Sequence, residues 1–347
     1  MDAKARFIQI DEEGYLLSGE TRLNDEDFGR QVLENIFITE GFTTKTSLNG
    51  ETFYIEAFDE PLVAHQVHFL QEKIYIQTPY QSRFEVNLEG FCLDEWDRFH
   101  GLTTKGVPFV FTRKAQADFF NHLDEYDDES ITLFQKKIEV PSYFPDRPDV
   151  NPEKYWSQIY QTEENPGWNL NAPSTALVDM LPRLKMPKSS VLIPGCGEGH
   201  DAAYFAEQGH IVTAVDISSE ALNRAKKKYG HFSNITWLEA DVFKLPREWD
   251  QRFDLIYEYT CFCAVNPSRR NELIKTYKRL LHSQGQLMAL FFVMPKRSGP
   301  PFGGSEWELR KRLESHFQFL FWGRWKKSID RRLGKELYFL GQKKSMN

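Results

Sequence analysis

Residues 191 to 216, VLIPGCGEGHDAAYFAEQGHIVTAVD, constrain the fold more than any other stretch of the chain. Val191 to Ile193 is the short apolar run of a strand buried on both faces. Pro194-Gly195-Cys196-Gly197-Glu198-Gly199 follows, with glycine at alternate positions. Glycine permits so tight a turn and lets the main chain approach a ligand closely. Ala202, Ala203, Phe205 and Ala206 predict a helix that Gly209 ends. Val212 to Val215 predicts a second strand, with Asp216 at its carboxyl end. Strand, glycine loop, helix, strand and acid in this order make a unit suited to a nucleotide-like ligand.

NAD, FAD and adenosylmethionine sites all begin this way, so the spacing has to separate them. A dinucleotide fingerprint sets its third glycine three residues after the second, which brings the helix under a pyrophosphate. Here the order is Gly195-x-Gly197-x-Gly199, and Glu198 lies inside the loop, where two phosphates would repel it. An acid there favours a ligand end that is not strongly anionic, such as the amino acid end of S-adenosylmethionine. Asp216, 21 residues beyond Gly195, suits ribose hydroxyls under either reading.

At 347 residues the chain has room for about two domains, and 41% apolar residues can fill their cores. No run approaches the roughly 18 apolar residues of a membrane span, so no membrane partner is expected. The N-terminal residues show no apolar signal-peptide core. Four cysteines without a convincing metal spacing suit a reducing compartment, and the expectation is a cytoplasmic protein. Cys261-x-Cys263 lies in an apolar run and reads as packed rather than ligating. The net charge of -7 divides into -15 over residues 1–150 and +8 over the rest. An acidic front half repels nucleic acid and the basic excess behind it is dispersed, so nucleic acid is not an expected partner.

Residues 1–140 read as an acidic α+β domain of unrecognised kind. Phe7 to Ile10 and Tyr15 to Leu17 flank Glu12-Glu13-Gly14 as a hairpin, and Asn49-Gly50 marks a second one. Asp25 to Ile38 has helical spacing, Ile74 to Ile76 and Phe84 to Val86 read as strands, and Trp96, Phe99, Ala115, Phe119, Phe120 and Leu123 suggest helices near the end. Two clusters, Asp94-Glu95-x-Asp97-x-x-His100 and His122-x-Asp124-Glu125-x-Asp127-Asp128, either hold a divalent metal or form a solvated acidic face. The second reading is preferred, and no metal site is assigned. Residues 141–152 are a Pro-rich linker, with Pro141, Pro145, Pro148 and Pro152 in and beside it.

The second domain spans 153–347. Trp156, Tyr160 and Trp168 sit on a helix and turn ahead of the first strand, either closing over a sulfonium by cation–π attraction or simply packing on the sheet. After the glycine loop come a helix over 219–228 and a strand over Ile235 to Leu238, leading to Asp241. Asp241 either accepts from an adenine amino group, with Ile217 and Val242 flanking the ring, or caps a turn. Phe253 to Tyr257 is the next strand, followed by Glu258-Tyr259-Thr260. A helix from Ser268 to Leu281, a strand from Gln286 to Val293, and strands at Phe317 to Trp322 and Leu337 to Leu340 complete the pattern.

Over Tyr155 to Lys343 the sequence resembles class I S-adenosylmethionine-dependent methyltransferases, and most of all their thiopurine methyltransferase-like branch, which includes halide/thiol methyltransferases of plants. The residues that carry this are Trp156, PGW at 166–168, PGCGEGHD at 194–201, AVDIS at 214–218, EADVF at 239–243, YEYTCFCAVNPSRR at 257–270 and Gly299-Pro300-Pro301-Phe302. The resemblance implies an α/β, Rossmann-like sheet flanked by helices, preceded here by the small α+β domain. It implies S-adenosylmethionine as cofactor, with Gly195, Gly197 and Gly199 around its amino acid end, Asp216 on the ribose and Ile217, Asp241 and Val242 around the adenine. Trp156 and Trp168 then belong to a lid, and Tyr259 faces the methyl group and the acceptor. Glu258 departs from the aspartate usual in that branch.

Methyl transfer from a sulfonium is an in-line displacement that needs positioning and exclusion of water more than acid–base help. The expected function is S-adenosylmethionine-dependent methylation of a small-molecule acceptor, a thiol or another soft nucleophile foremost, with Tyr259 and Glu258 as the candidate catalytic residues. Glu258 is the candidate base if the acceptor is an amine or hydroxyl. The alternative is an S-adenosylmethionine-binding, catalytically weak module that recruits a protein partner through its N-terminal domain. A nicotinamide oxidoreductase is a third reading.

Overall fold

The computed structural model describes residues 5–127, 129–145 and 149–345. Asp128 of the second acidic cluster and Pro148 of the linker lie outside the described residues. The chain forms two compact units. The first takes the N-terminal 146 residues together with Met294–Ser298 and Gly303–Glu308. The second takes Arg147–Val293, Gly299–Phe302 and Leu309–Asn347. That the chain returns to the first unit after residue 293 was not expected from the sequence, which assigned 153–347 to one domain.

The first unit is built mainly of strands. One six-stranded sheet runs in the order Thr21–Arg22, Leu16–Ser18, Phe7–Ile10, Glu51–Ala57, Thr44–Leu48, Ile36–Ile38. A second runs Leu62–Ala64, Pro108–Phe111, Phe99–Thr103, Arg83–Leu93, Lys73–Gln77, Gln66–Leu70. Both hairpins read from the sequence are present: Gln9 pairs with Leu17, and Leu48 with Glu51 across Asn49-Gly50, both of which have positive φ. The helix expected over Asp25–Ile38 is shorter, Glu26–Glu34, capped by the Asp25 side chain. The segment Ile36–Ile38 behind it is a strand, because Ile-Phe-Ile fits a pleated edge better than another helical turn. Trp96 and Phe99 correct a second expectation. Trp96 lies in a turn and Phe99 opens a strand, so only Arg113–Phe120 is helical there. Phe91, Phe99, Phe109, Phe111 and Phe119 meet in the core of this unit.

Asp94, His100, His122, Asp124 and Asp127 of the two acidic clusters bond to other protein groups. His100 is buried, with Nδ1 3.1 Å from Glu60 Oε1 and Nε2 3.1 Å from Asp94 Oδ2. Carboxylates on both nitrogens require both to donate, which is the imidazolium form. Burial alone would lower the His100 pKa, but the bonds to Asp94 and Glu60 overcome it and raise it. Burial likewise opposes ionisation of Asp94, yet His100 and Arg98 bring its pKa down to about 2. Arg98 also pairs with Asp59, and its guanidinium lies 3.2 Å from the ring centre of Trp307, in the returning segment. Arg297, from the same segment, donates to the carbonyls of Gly90 and Gly101 at 3.3 and 3.4 Å. In the second cluster His122 donates to the Asp118 carbonyl, Asp124 accepts from the Gln135 N–H, and Asp127 accepts from the N–H groups of Glu129 and Ser130 in its own turn. Among the described residues no group of three or more His, Cys, Asp or Glu is arranged to hold a metal ion.

The second unit is one twisted sheet with helices. Its elements are α1 (Glu153–Thr162), α2 (Thr175–Leu184), β1 (Ser190–Pro194), α3 (His200–Glu207), β2 (Ile211–Asp216), α4 (Ser219–Tyr229), β3 (Ile235–Glu239), β4 (Phe253–Tyr259), α5 (Arg270–Leu280), β5 (Leu281–Phe292), α6 (Glu306–Leu313, of which the residues up to Glu308 belong to the first unit), β6 (Phe317–Arg324) and β7 (Glu336–Lys343). The strand order is β3-β2-β1-β4-β5-β7-β6, parallel except for β7, which is antiparallel to both neighbours. This is the Rossmann-like sheet expected. β1 is buried throughout Val191–Pro194, as its apolar run requires. α4 begins where Ser218 accepts from the Ala221 N–H and ends on Lys226, Lys227 and Lys228, which suit the negative end of a helix dipole. The strand order reverses between β1 and β4, and ligands of open α/β sheets bind at the carboxyl ends of strands beside such a switch.

Candidate active site

The carboxyl end of β1 is the glycine loop. Gly197 and Gly199 have φ of +53° and +79°, a region that side chains rarely adopt. Space excludes a side chain as well. A Cβ on Gly199 would lie 2.5 Å from the Trp237 ring of β3, and one on Gly197 would lie 3.0 Å from the Tyr160 hydroxyl of α1. Asp216, at the end of β2, is buried and holds the loop: Oδ2 accepts from the Gly197 N–H at 2.7 Å and Oδ1 from the Ser218 N–H at 2.9 Å. Burial raises its pKa, opposed by those N–H donors. A carboxylate has about four lone-pair sites. The N–H groups of Gly197, Ser218 and Ile217 occupy most of them, and what remains is an acceptor site that a ribose hydroxyl can use.

Glu198 does something other than the sequence suggested. Its carboxylate is buried, 3.0 Å from Arg224 Nη1 and bonded to Lys228, both on α4. Burial disfavours its charge, but Lys228 and Arg224 outweigh that and lower its pKa. A neutralised carboxylate turned toward α4 repels no phosphate, so Glu198 does not itself discriminate between ligands. His200 opens α3 and hydrogen-bonds the Tyr229 hydroxyl at 2.7 Å. Asp241 accepts from the Phe243 N–H at 3.0 Å and caps the short 3-10 turn Val242–Lys244, while its other oxygen is 3.5 Å from Lys244 Nζ. Ile217, Asp241 and Val242 are all half-buried, just past the ends of β2 and β3.

Three aromatic residues of the segment ahead of β1 form one cluster. The ring centres of Trp156 and Trp168, and of Tyr160 and Trp168, are each 5.7 Å apart and near perpendicular. Trp168 Nε1 donates to the Tyr160 hydroxyl at 3.0 Å, and Trp156 Nε1 to the Val150 carbonyl at 2.8 Å. Tyr160 lies against the glycine loop at Gly197, so the structure brings these aromatics to the donor loop through Tyr160.

Both ionisable residues at the end of β4 are engaged. Glu258 is fully buried. Its Oε1 accepts from the N–H groups of Cys261 and Phe262, both at 3.1 Å, and Oε2 is 3.3 Å from the Tyr277 hydroxyl. Burial pushes its pKa up to about 7 against those donors. These bonds hold a turn in which Thr260, a β-branched residue, has φ +64°, a conformation that persists only where its surroundings fix it. The Tyr259 hydroxyl donates to Glu336 Oε1 at 3.1 Å and accepts from Arg332, and burial raises its pKa. Arg224, Arg332 and Tyr160 thus belong to the site although the sequence singled out only the last, as a flap aromatic. Charge-bearing residues on α4 and before β7 carry no motif that would have shown their targets.

A Rossmann-like sheet of this order, a glycine loop tied to a buried acid, and aromatics against that loop define an S-adenosylmethionine-dependent methyltransferase. The thiopurine S-methyltransferase family matches residues 151–330. Probable thiol methyltransferase 2 of Arabidopsis thaliana is 32% identical over 164 residues, 46% of this chain and 70% of the relative. Thiocyanate methyltransferase 1 of Brassica oleracea is 30% identical over 45% of this chain and 69% of its own. The solved 1,6-didemethyltoxoflavin-N1-methyltransferase of Burkholderia thailandensis aligns with a TM-score of 0.46 at 23% identity, over 65% of this chain and 100% of that one. The chain belongs to the thiopurine S-methyltransferase family, and its methyl donor is S-adenosylmethionine. No helix among the described residues is long and apolar enough to cross a membrane.

Proposed function

We propose that the chain methylates a small, soft nucleophile, a thiol before all others. The observation that carries this is the state of the end of β4. Glu258 spends both oxygens on the turn behind it, and the Tyr259 hydroxyl is held between Arg332 and Glu336. A general base has to reach the proton it removes, geometry first and pKa second. Neither side chain points a free lone pair at an acceptor, which suits a nucleophile that is already anionic near neutral pH. Relatives named for thiol and thiocyanate methylation support the same class.

Bound at the glycine loop, S-adenosylmethionine supplies an electrophilic methyl group. In this reading Gly195, Gly197 and Gly199 receive its amino acid end, Asp216 takes the ribose hydroxyls, and Ile217, Asp241 and Val242 flank the adenine. Their places at the ends of β1, β2 and β3 support that assignment. Trp156, Tyr160 and Trp168 exclude water, and Tyr259 presents a ring, not an acid, to the acceptor. The rate then comes from proximity and orientation. The reading of a donor-binding module without turnover gains nothing from relatives named as enzymes.

The test is turnover of a panel of thiols of graded pKa, thiocyanate, selenide and halides, read as release of S-adenosylhomocysteine. The rate should follow each thiol's own ionisation, and Tyr259→Phe should keep kcat within about tenfold, since no proton transfer of general acid–base size is lost. Faster turnover of amines or alcohols than of every thiol would overturn the proposal.

A further inference from the structure

The stretch from Tyr160 to Asn169, between the last turns of α1 and the start of α2, is fastened through its main-chain oxygens by three arginines from elsewhere in the unit. Arg224 of α4 donates to the carbonyls of Tyr160, Glu163 (2.8 Å) and Glu164 (2.7 Å). Arg332 donates to the Trp168 carbonyl at 2.7 Å and Arg331 to the Asn169 carbonyl at 3.3 Å. The last carbonyls of a helix have no partner within it, and a guanidinium fork can satisfy several at once where a lysine ammonium cannot.

The other ends of two of these arginines reach the site. Arg224 Nη1 also bonds Glu198 in the glycine loop at 3.0 Å, and its guanidinium lies 5.4 Å from the Tyr160 ring centre. Arg332 is buried, bonds the Tyr259 hydroxyl and lies 3.5 Å from Glu336. One end of the aromatic stretch is therefore tied to the donor loop and the other to the carboxyl end of β4 and the start of β7. We infer that Arg224 and Arg332 are positioning residues for methyl transfer, a two-point latch on the main chain of the Trp156–Tyr160–Trp168 cluster. Arg224 sets the lid against the donor loop, and Arg332 sets it against the acceptor side. The second half rests on the acceptor reading above and the first does not.

The experiment compares wild type, Arg224→Lys, Arg332→Lys and Arg331→Ala in the full chain. Amide hydrogen exchange over 153–169 is measured without ligand, S-adenosylhomocysteine binding by calorimetry, and kcat and KM with a thiol acceptor. Arg224→Lys keeps a cation beside Glu198 but loses the fork. It should speed exchange over 160–164 and weaken product binding about tenfold, with kcat at saturating donor within about twofold. Arg332→Lys should lower kcat/KM for the acceptor about tenfold and leave the product Kd within about threefold. Arg331, being exposed, tests the same end without risk to folding, and its variant should speed exchange at 167–169. Unchanged lid exchange and product affinity in a folded Arg224→Lys protein would overturn the latch, as would two Lys variants that weaken donor and acceptor alike. If wild type binds no product, the donor site is wrong, and the exchange data still decide the latch.

Discussion

Replacing Glu258 by glutamine tests the turn behind the acceptor side by a change of pH. Oε1 of the amide can keep the Cys261 and Phe262 N–H bonds it already accepts, while an NH2 in place of Oε2 gives up its share of the Phe262 N–H and can donate to the Tyr277 hydroxyl. Apart from that shared bond, which is lost at every pH, only the ionisable proton is removed. Burial raises the Glu258 pKa from 4.5 to about 7, so between these values the native state holds a proton that the unfolded chain has released. Stability therefore falls as pH rises through this window. At 1.36 kcal/mol for each pKa unit the loss is about 3 kcal/mol. At pH 5 wild-type Glu258 is itself neutral and the variant should match it closely. At pH 8 the variant should be more stable, by roughly 6–12 °C in Tm at about 2–4 °C per kcal/mol for a unit of this size. The assay is calorimetric melting at pH 5, 6, 7 and 8, following the transition that S-adenosylhomocysteine moves upward. Other titrating groups, such as half-buried Asp201, whose pKa desolvation raises to about 6, are common to both proteins and cancel in the difference. A constant offset between the two proteins from pH 5 to 8, or a variant that loses ground as pH rises, would refute the reasoning.

Gly199→Ala must accept an unfavourable φ, about 1–2 kcal/mol, and displace the Trp237 ring; donor binding should fall more than tenfold by calorimetry while far-ultraviolet dichroism is unchanged. His100→Gln removes a buried imidazolium from between Glu60 and Asp94, and the first unit should lose about 3–5 kcal/mol in chemical denaturation at pH 6. The raised His100 pKa fixes the sign: its contribution is whole below about 6.5 and fades as pH rises through the higher native value. The gap between wild type and this variant should therefore narrow in alkaline buffer.

What was legible in the sequence is what chain neighbours determine together. The 191–216 stretch shows strand, loop, helix and acid because each residue type answers a local need, and Asn49-Gly50 shows its hairpin for the same reason. Trp96 and Phe99 misled because an aromatic pair three residues apart has the spacing of a helix face, while the turn at Asp94 and the pairing of Phe99 with Leu93 decide otherwise. Glu198 was placed correctly in the loop, but its direction depends on Arg224 and Lys228, 26 and 30 residues away. The arginine contacts to carbonyls were invisible in principle. Every residue has a carbonyl, so no residue type marks the acceptor.

The return of residues 294–298 and 303–308 to the first unit bears on how the protein is made. Arg98 has no Trp307 to lie on, and Gly90 and Gly101 no Arg297 to receive, until the chain has been synthesised past residues 297 and 307. On the ribosome the N-terminal 146 residues thus emerge as an unfinished body that waits for some 150 more before its last pieces arrive. A chain stopped before residue 294 would lack the segments that complete the first unit and the strands β6 and β7 of the second, and removal of residues 1–146 would take Arg98, Gly90 and Gly101 away from Trp307 and Arg297.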